Sequence, residues 1–274
     1  PRSTLFPYTT LFRSCANNLP VYLKGLRGNI GIVTKGCDAR LLAVMITENR
    51  IDREKIKIIG VPCDGTIDIK KVYKLCGCDD LKDITVKGDK VHAVAPGRNC
   101  ELELKNCLCD NCLVCKYGNP VIYDMMISEN VQQQPEPEFA AVDDFEKLDP
   151  KQRWEYMQSE LSRCTRCYAC RNACALCYCT TCFCDQSMPQ WISKEASVND
   201  NIVFQLIRMM HLTGRCVGCG ACERACPEGI NLKLFNRKIQ KDVFEMFGET
   251  AGLEIGAKNV LADFCENDNQ DFIK

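Results

Sequence analysis

The stretch CTRCYACRNAC at residues 164–174 places four cysteines in C-x2-C-x2-C-x3-C spacing. The stretch CVGCGACERAC at residues 216–226 repeats that spacing, and Pro227 follows its last cysteine. Three thiolates a few residues apart can wrap one face of an iron-sulfur cubane, while the fourth is free to reach a different cluster. The repeated run therefore predicts two 4Fe-4S clusters and the transfer of single electrons.

Bacterial two-cluster ferredoxins have this spacing, and there the last cysteine of each run ligates the cluster of the other run. That crossed pattern assigns the first predicted cluster to Cys164, Cys167, Cys170 and Cys226. It assigns the second predicted cluster to Cys216, Cys219, Cys222 and Cys174. Because each cluster would tie both runs together, loss of either should loosen the whole domain.

Length and composition limit the classes of protein that need to be considered. The chain has 274 residues, which suggests one or two domains, and 46% hydrophobic residues, which is enough for ordinary cores. Its net charge of -1 gives no basic field that would attract nucleic acid. No run of 18 uninterrupted apolar residues is present, so we expect no transmembrane helix and a cytoplasmic protein.

The 23 cysteines allow two other interpretations. Disulfides are typical of short secreted chains, whereas this chain is long and its cysteines cluster at C-x-C and C-x2-C intervals. Structural zinc is a closer rival, because four-cysteine zinc sites also use C-x2-C pairs. Zinc sites usually take two separated pairs, which differs from three cysteines two apart and a fourth after three more.

The first residues are set apart from the fold. Residues 4–14, TLFPYTTLFRS, resemble the translation of a sequencing-adapter oligonucleotide, so residues 1–14 are interpreted as a read artefact. The natural protein is then expected to begin upstream of Cys15. The alternative is a natural apolar and aromatic N-terminal strand.

Residues 15–128 alternate patterns typical of strands and helices, which predicts an α/β domain. Strands are expected at 29–34 and 55–61, and a hairpin at 84–94. Asp38 is expected to cap a first helix and Asp68 to start a second.

Residues 129–148 are polar, proline-bearing and then acidic, which predicts an exposed linker with a solvated acidic run. Residues 149–247 have helical periodicity and form the predicted helical domain, which a weakly patterned tail, 248–274, follows. The first predicted helix of this domain starts at Asp149-Pro150. The second is capped by Asn199 or Asp200, stops at Gly214, and has apolar residues at helical spacing: Val203, Leu206, Ile207 and Met210. The third has an apolar stripe of Phe235, Ile239, Val243 and Phe247.

Two further groups of cysteines are candidate ligands. Between the two runs lie Cys177, Cys179, Cys182 and Cys184, which could hold another cluster or a zinc ion, replace a ligand, or stay free thiols. In the α/β half, strand ends converge on one crevice, so four cysteines could meet there and bind a third cluster. They are Cys37, which ends a β-turn before a helix, Cys63, Cys112 and Cys115. The alternative is that these are buried structural cysteines.

Residues that flank the runs each allow more than one interpretation. Gly218 and Gly220 either let backbone N–H groups approach the sulfurs or serve loop geometry alone. Arg166, Arg171, Arg215 and Arg224 could offset cluster charge or bind an acidic partner, although solvated arginines are the default expectation. His211 is expected on the surface or near a helix end. No P-loop, G-x-G-x-x-G or Ser/His/Asp order indicates kinase or hydrolase chemistry, and the catalytic residues stay unknown.

Several separate stretches resemble the beta-subunit family of coenzyme F-420 hydrogenases and dehydrogenases, which includes beta subunits of formate dehydrogenases. They are KGCDARLLAVMITEN, IIGVPCDGTID and CLVCKYGNPVIYD in the first half of the chain. RCTRCYACRNACALCYCTTCFCD with PQW, and GRCVGCGACERACPEGINL, resemble the ferredoxin extensions of that group, with helical modules like those of heterodisulfide reductase. The resemblance covers about residues 28–240.

The resemblance implies an iron-sulfur site in the α/β domain, at Cys37, Cys63, Cys112 and Cys115. It also implies FAD in the full-length protein, hydride transfer to a deazaflavin, and other redox subunits as partners. Two features depart from the family pattern. Ala175 stands where a proline usually follows the first run, and the glycine-rich segment that opens the flavin site is not visible in this sequence.

The predicted fold is thus an α/β N-terminal domain plus a mainly α-helical dicluster ferredoxin domain. The predicted function is an iron-sulfur electron-transfer subunit of an anaerobic redox complex of the formate dehydrogenase, hydrogenase or heterodisulfide reductase type. Two alternatives stay open, a stand-alone ferredoxin-like carrier without a substrate site and a zinc-organised interaction module.

Overall fold

The structure is a computed structural model that describes residues 17–26, 28–132 and 138–262. The chain divides into two compact units. The first comprises residues 1–19, 31–39 and 57–138, and the second comprises residues 20–30, 40–56 and 139–274. The predicted artefact at residues 1–14 lies outside the described residues, and the predicted domain boundaries stay predictions.

Helices and small sheets together confirm mixed α/β content. The strands, in chain order, are β1 Ile30–Thr34, β2 Ile56–Gly60, β3 Asp83–Lys87, β4 Lys90–Ala95, β5 Arg98–Glu103 and β6 Met125–Met126. The α-helices are α1 Gly36–Thr47, α2 Ile69–Cys76, α3 Leu104–Cys107, α4 Asp110–Leu113, α5 Ala140–Glu146, α6 Pro150–Ser162, α7 Ala169–Asn172, α8 Val198–His211, α9 Ala221–Arg224 and α10 Leu232–Phe247. Short 3-10 helices occur at Leu19–Leu23, Arg53–Lys55 and Phe183–Asp185.

The first sheet has the strand order β1-β2-β6 and confirms both predicted strands. Strand β2 alternates buried and outward residues, as a half-buried strand should, with Ile56 and Ile58 in the core. It pairs in parallel with β6, where Ile59 lies opposite Met125. The Asp124 carboxylate accepts a hydrogen bond from the Ile58 backbone N–H (2.7 Å) and so fixes the approach to β6.

Helix α1 begins earlier than predicted, at Gly36, so Asp38 lies in its first turn instead of capping it. The Asp38 carboxylate accepts from the Lys35 backbone N–H (3.4 Å) and from the Asn18 side chain (2.7 Å). An acidic residue in the first turn can satisfy the backbone N–H at the helix start from inside the helix. Cys37 therefore also lies in the helix, and the predicted β-turn that ends at Cys37 is wrong.

The second sheet has the order β3-β4-β5 and is antiparallel throughout. The predicted hairpin is its first two strands. Strand β5 was missed because its sequence, RNCELE, has few apolar residues to alternate. Helix α2 packs on this sheet; Asp68 caps it through the Lys70 N–H (2.9 Å), as predicted, and Gly77 ends it in the left-handed conformation.

The second unit is mainly helical, and α6 starts at the predicted place. Asp149 and Gln152 form a reciprocal capping box with Pro150 at the first helical position. Helix α8 starts earlier than predicted, because Ser197 accepts from the Asp200 N–H (3.2 Å) and takes the capping position. Asn199 and Asp200 consequently lie in its first turn.

The apolar residues that recur at helical spacing along α8 do not form its buried side. Val203, Leu206 and Met210 are exposed. The buried side instead carries Asn201, Gln205 and Arg208, with Phe204 and Met209. On α10 the predicted stripe is correct for Phe235 and Val243 but wrong for Phe247, which lies exposed at the helix end. Periodicity alone could not identify the buried face of α8, because that face is partly polar.

Part of the stretch predicted to be a linker is helix α5. Its acidic residues are not merely solvated: Asp143 and Glu146 pair with Lys241, and Glu146 also pairs with Lys238 (2.8 Å). The hydrogen bonds from Lys238 and Lys241 lower the pKa of Glu146. Phe139 lies beside Phe244 (ring centroids 6.3 Å apart), so α5 is held against α10 by both ion pairs and ring contact.

Two apolar clusters form the interior of the second unit. The larger packs α6, α8 and α10 together around Leu161, Phe204 and Phe235. The smaller joins Leu41 and Met45 of α1 to residues beside the two cysteine runs, namely Ala175, Leu176, Leu212 and Val217. Among the described helices, none is long and apolar enough to cross a membrane.

We expect Gly36→Ala to destabilise the first unit. A Cβ at Gly36 would lie 1.9 Å from the Tyr117 carbonyl oxygen, which is backbone and cannot rotate away. Overpacking of this kind typically costs about 1–3 kcal/mol. Gly31→Ala is the control, because a Cβ there meets nothing within 4 Å. Thermal unfolding should show a lower midpoint for Gly36→Ala alone; equal midpoints would contradict the close packing.

Candidate metal centre

The two cysteine runs adopt the same local backbone. In the first run, Arg166 (φ 53°) and Tyr168 (φ 61°) are left-handed; in the second, Gly218 and Gly220 (both φ 70°) hold the equivalent positions. A short helix follows in each run, α7 in the first and α9 in the second. The sequence repeat is therefore a structural repeat, although only the second run carries the glycines that this conformation favours.

The left-handed residues direct backbone N–H groups at sulfur atoms. Burial raises the pKa of the Cys216 thiol to about 11, and the Gly218 N–H bond to its sulfur opposes that rise. Burial likewise raises the pKa of Cys164, and the Arg166 N–H opposes it. Of the two readings of Gly218, the approach of its N–H to a sulfur is the one observed, whereas Gly220 serves as the N-cap residue of α9.

Cysteines of the two runs lie next to one another in a crossed manner. Burial is the main cause of the raised pKa of Cys164, and the charges of Cys226 in the other run and of Cys167 raise it further. Burial, together with the charges of Cys174 and Cys216, raises the pKa of Cys219 to about 12. Each of these two groups of neighbours belongs to one predicted ligand set, the first to that of Cys164 and the second to that of Cys216. The two sets are also close to each other, because the charge of Cys222 raises the pKa of Cys170.

These thiols are neighbours without converging on one point. Among the residues that the structure describes, no three His, Cys, Asp or Glu side chains are grouped as ligands of a single metal ion. A zinc ion with Zn–S bonds of 2.3 Å would hold its sulfurs about 3.8 Å apart. A cubane binds each thiolate at a different iron and spaces the sulfurs more widely. Iron, sulfide and zinc contents of the purified protein therefore distinguish the two kinds of site.

A buried guanidinium lies among the cysteines. Arg208 on α8 is only 3% exposed, and its Nη2 donates to the Cys170 carbonyl (3.3 Å). Its Nε and Nη1 atoms have no hydrogen-bond partner. Burial opposes its charge, but Cys222, Cys170, Cys174 and Cys177 raise its pKa overall. Because an unpaired buried cation is costly, these residues fit a bound group of net negative charge.

Side-chain amides complete the surroundings of the sulfurs. Gln205 donates towards the Cys170 sulfur (3.8 Å) and Asn236 towards the Cys222 sulfur (3.4 Å). Asn201 donates to the Leu161 and Cys164 carbonyl oxygens (3.2 and 2.7 Å). Sequence reasoning missed all of these residues. The signal was present in α8, where Asn201, Gln205 and Arg208 recur at the i, i+4, i+7 spacing of one helical face.

The flanking arginines are more engaged than expected. Arg166 is buried and donates to the Glu195 carbonyl. Arg215 pairs with Glu48 and donates to the Tyr178 hydroxyl (2.6 Å), while Arg224 donates to the Cys219 carbonyl (2.7 Å). The default expectation of solvated side chains is thus wrong for these three. The prediction for His211 is confirmed, because it lies exposed at the end of α8.

The Cys177–Cys184 segment lies directly beside the runs. The Cys177 thiol donates to Cys174, which lowers the pKa of Cys174 and raises that of Cys177. Cys182 and Cys184 are in contact with each other, and Arg171 donates to the Cys184 sulfur (3.0 Å). Arg171 also pairs with Asp185 (2.7 Å). The structure thus brings Cys177 to the second predicted ligand set.

In the first unit, three of the four predicted cysteines lie close together. Burial raises the pKa of Cys63, and Cys112 and Cys115 raise it further. The Cys112 sulfur accepts from the Thr66 N–H (3.3 Å). Cys37 accepts from the Asn18 amide (3.4 Å), and its neighbour Gly36 packs against the Tyr117–Gly118 backbone.

Cys109 was missed as a candidate in this region. It is buried, and its spacing with Cys112 and Cys115 is C-x2-C-x2-C, the same three-cysteine pattern that begins each run in the second unit. Its N–H donates to the Thr66 carbonyl (2.9 Å), which holds it beside the Cys112 loop. The spacing was visible in the sequence and was overlooked because Cys112 and Cys115 were considered as a pair.

Comparison with known proteins agrees with this geometry. Residues 211–230 match a family described as a 4Fe-4S binding domain. The chain is 24% identical over 283 residues to the F420-dependent formate dehydrogenase subunit beta of Methanocaldococcus jannaschii, covering 82% of this chain and 74% of the relative. It is also 24% identical over 297 residues to the F420-dependent formate dehydrogenase 1 subunit beta of Methanococcus maripaludis, covering 86% and 76%.

These similarities confirm the resemblance to beta subunits that carry a ferredoxin domain. They also confirm the prediction of an oxidoreductase of the iron-sulfur electron-transfer kind, a subunit of a redox complex. The matched 4Fe-4S segment contains the whole second cysteine run.

We expect Gly218→Ala to loosen the second run more than Gly229→Ala does. Both glycines have positive φ, so each substitution carries a backbone cost of about 1–2 kcal/mol. Only at Gly218 would the new Cβ also lie 3.0 Å from the Arg237 guanidinium. A chelator should therefore remove iron faster from the Gly218→Ala protein. Equal rates would show that this contact does not matter.

Proposed function

We propose that this chain is a cytoplasmic iron-sulfur electron-transfer subunit whose helical unit is a dicluster ferredoxin domain. The first cluster is held by Cys164, Cys167, Cys170 and Cys226, and the second by Cys216, Cys219, Cys222 and Cys174. The observation that carries the proposal is the buried guanidinium of Arg208, which lacks partners at two nitrogens and lies among cysteines of both runs.

When bound, a 4Fe-4S cluster supplies a site that accepts and releases one electron at a time. The protein supplies the surroundings. Leu161, Ile230 and Phe235 exclude water from the space beside the runs. The Gly218 N–H and the Asn236 amide donate to cysteine sulfurs, and Arg208 provides positive charge. Such hydrogen bonds and charges favour the reduced, more negative state and so raise the reduction potential.

We extend the proposal to a third 4Fe-4S cluster in the first unit, at Cys37, Cys63, Cys112 and Cys115. The contact of Cys63 with Cys112 and Cys115 supports three of these ligands. Cys37 is supported by the packing of Gly36 on the Tyr117–Gly118 segment, which follows Cys115 in the chain.

The relatives support a place in a larger complex. Their names describe beta subunits of F420-dependent formate dehydrogenases. We propose by analogy that this chain serves a formate dehydrogenase, hydrogenase or heterodisulfide reductase complex, with other redox subunits as partners. FAD would connect one-electron transfer through the clusters with two-electron hydride chemistry. Flavin analysis of protein purified without oxygen separates this function from that of a stand-alone carrier.

Replacement of Cys219 by alanine tests the ligand assignment. Cys219→Ala should strip iron from the helical unit, because the second cluster would lose a ligand. Cys265→Ala is the control, since Cys265 belongs to neither run and lies outside the described residues. Iron and sulfide should be measured per chain after anaerobic purification. Equal iron in both variants would refute the assignment, and zinc without iron would overturn the redox function.

Replacement of Arg208 by glutamine tests the role of the buried charge. Loss of a cation beside the clusters disfavours the added electron, so the midpoint potential should fall. We expect at least a tenfold change in the reduction equilibrium, which corresponds to about 59 mV for a one-electron step. Potentiometric titration followed by electron paramagnetic resonance measures it. Arg163→Gln is the control, because that side chain is 46% exposed, in contrast to the buried Arg208. Unchanged potentials in Arg208→Gln would reject the role.

A further inference from the structure

A cavity of about 510 Å³ lies beside the cysteine runs within the second unit. Three thiols line it, those of Cys177, Cys179 and Cys182, and they come from the segment that neither proposed cluster uses. The fourth cysteine of that segment, Cys184, is in contact with Cys182. All four thiols of the C-x-C-x2-C-x-C sequence are therefore at this wall or next to it.

The same wall carries positive charge. Arg208 lines the cavity, is almost wholly buried, and has no hydrogen-bond partner at Nε or Nη1. Arg171 also lines it and donates to the Cys184 sulfur (3.0 Å) and to Cys182. Guanidinium N–H groups aimed at sulfur stabilise thiolate over thiol. The wall is thus prepared for anionic sulfur.

The width of the cavity favours a group of several atoms over a single metal ion, because the thiols border a space of about 510 Å³. Disulfides are the other alternative, but they would not provide the anionic sulfur that the N–H groups of Arg171 face at Cys184 and Cys182.

We propose that Cys177, Cys179, Cys182 and Cys184 hold an additional 4Fe-4S cluster in this cavity. This inference rests on the proposed function, because the cluster would exchange electrons with the second cluster of the ferredoxin domain. Cys177 lies beside Cys174, a ligand of that cluster, so the two sites would be in direct contact. Arg208 then lies between them, since it faces Cys174 on one side and the cavity on the other.

The position of this cluster suggests its role. Cys179 is exposed, whereas the four ligands of the second cluster, Cys174, Cys216, Cys219 and Cys222, are only partly exposed. Electrons on the second cluster would reach the surface through the additional cluster, so the cavity side of the second unit is where a redox partner would approach. Lys24, which also lines the cavity, adds positive charge that suits an acidic partner surface.

The double variant Cys179→Ala/Cys182→Ala tests the proposal. Relative to the parent protein it should lose the iron and sulfide of one cubane, while Cys219→Ala loses those of the second cluster. The paramagnetic signals of the other reduced clusters should persist in the double variant, which shows that the domain still folds. Cys265→Ala serves again as the control with unchanged iron.

Each outcome decides the matter. Unchanged iron in the double variant overturns the additional cluster while leaving the two-cluster function intact. Loss of zinc instead of iron overturns it as well. If the double variant does not fold, Cys179→Ala alone decides, because that exposed side chain can be shortened with little effect on packing. Absence of iron from the parent protein would instead overturn the proposed function itself.

Discussion

A buried cation surrounded by sulfur is the constraint around which the second unit is organised. Burial alone raises the pKa values of Cys170, Cys216 and Cys219, so these thiols would hold their protons in an empty interior. The charge of Arg208 instead lowers the pKa of Cys170. Burial of this guanidinium is itself unfavourable unless negative charge lies nearby. The cysteines and the arginine are therefore each unfavourable alone and favourable together, most of all with an anionic metal group between them.

The two runs reach the same backbone by different routes. Gly218 and Gly220 adopt the left-handed conformation at little cost, whereas Arg166 and Tyr168 do so at about 1–2 kcal/mol each. Contacts of the side chains hold the first run in place: Arg166 donates to the Glu195 carbonyl, and the Tyr168 ring meets Phe204 edge-on at 5.3 Å. Strain of this kind persists where the surroundings over-determine the conformation, as they do at ligand sites.

Sequence reasoning succeeded where the information is local. The strands β1 and β2, the hairpin, and the capping box at Asp149 follow from short patterns, and the confirmed iron-sulfur function follows from cysteine spacing. It failed where distant residues decide. The buried face of α8 is polar because Asn201, Gln205 and Arg208 bond to Cys164 and Cys170 in the first run. No pattern within α8 reveals those partners, so periodicity alone did not identify the buried face.

The orientation of α8 depends on which of its two faces, the apolar one or the polar one, gains more from burial. Turning Val203, Leu206 and Met210 inward would bury apolar surface, worth about 25 cal/mol per Å². The same turn would remove the amides from the Cys164 carbonyl and the Cys170 sulfur and would leave those groups unsatisfied, at about 1–3 kcal/mol each. The helix instead presents polar side chains to the cysteines and leaves apolar ones exposed. Helix α8 thus buries less apolar surface than it could, because its polar side chains are needed beside the cysteines.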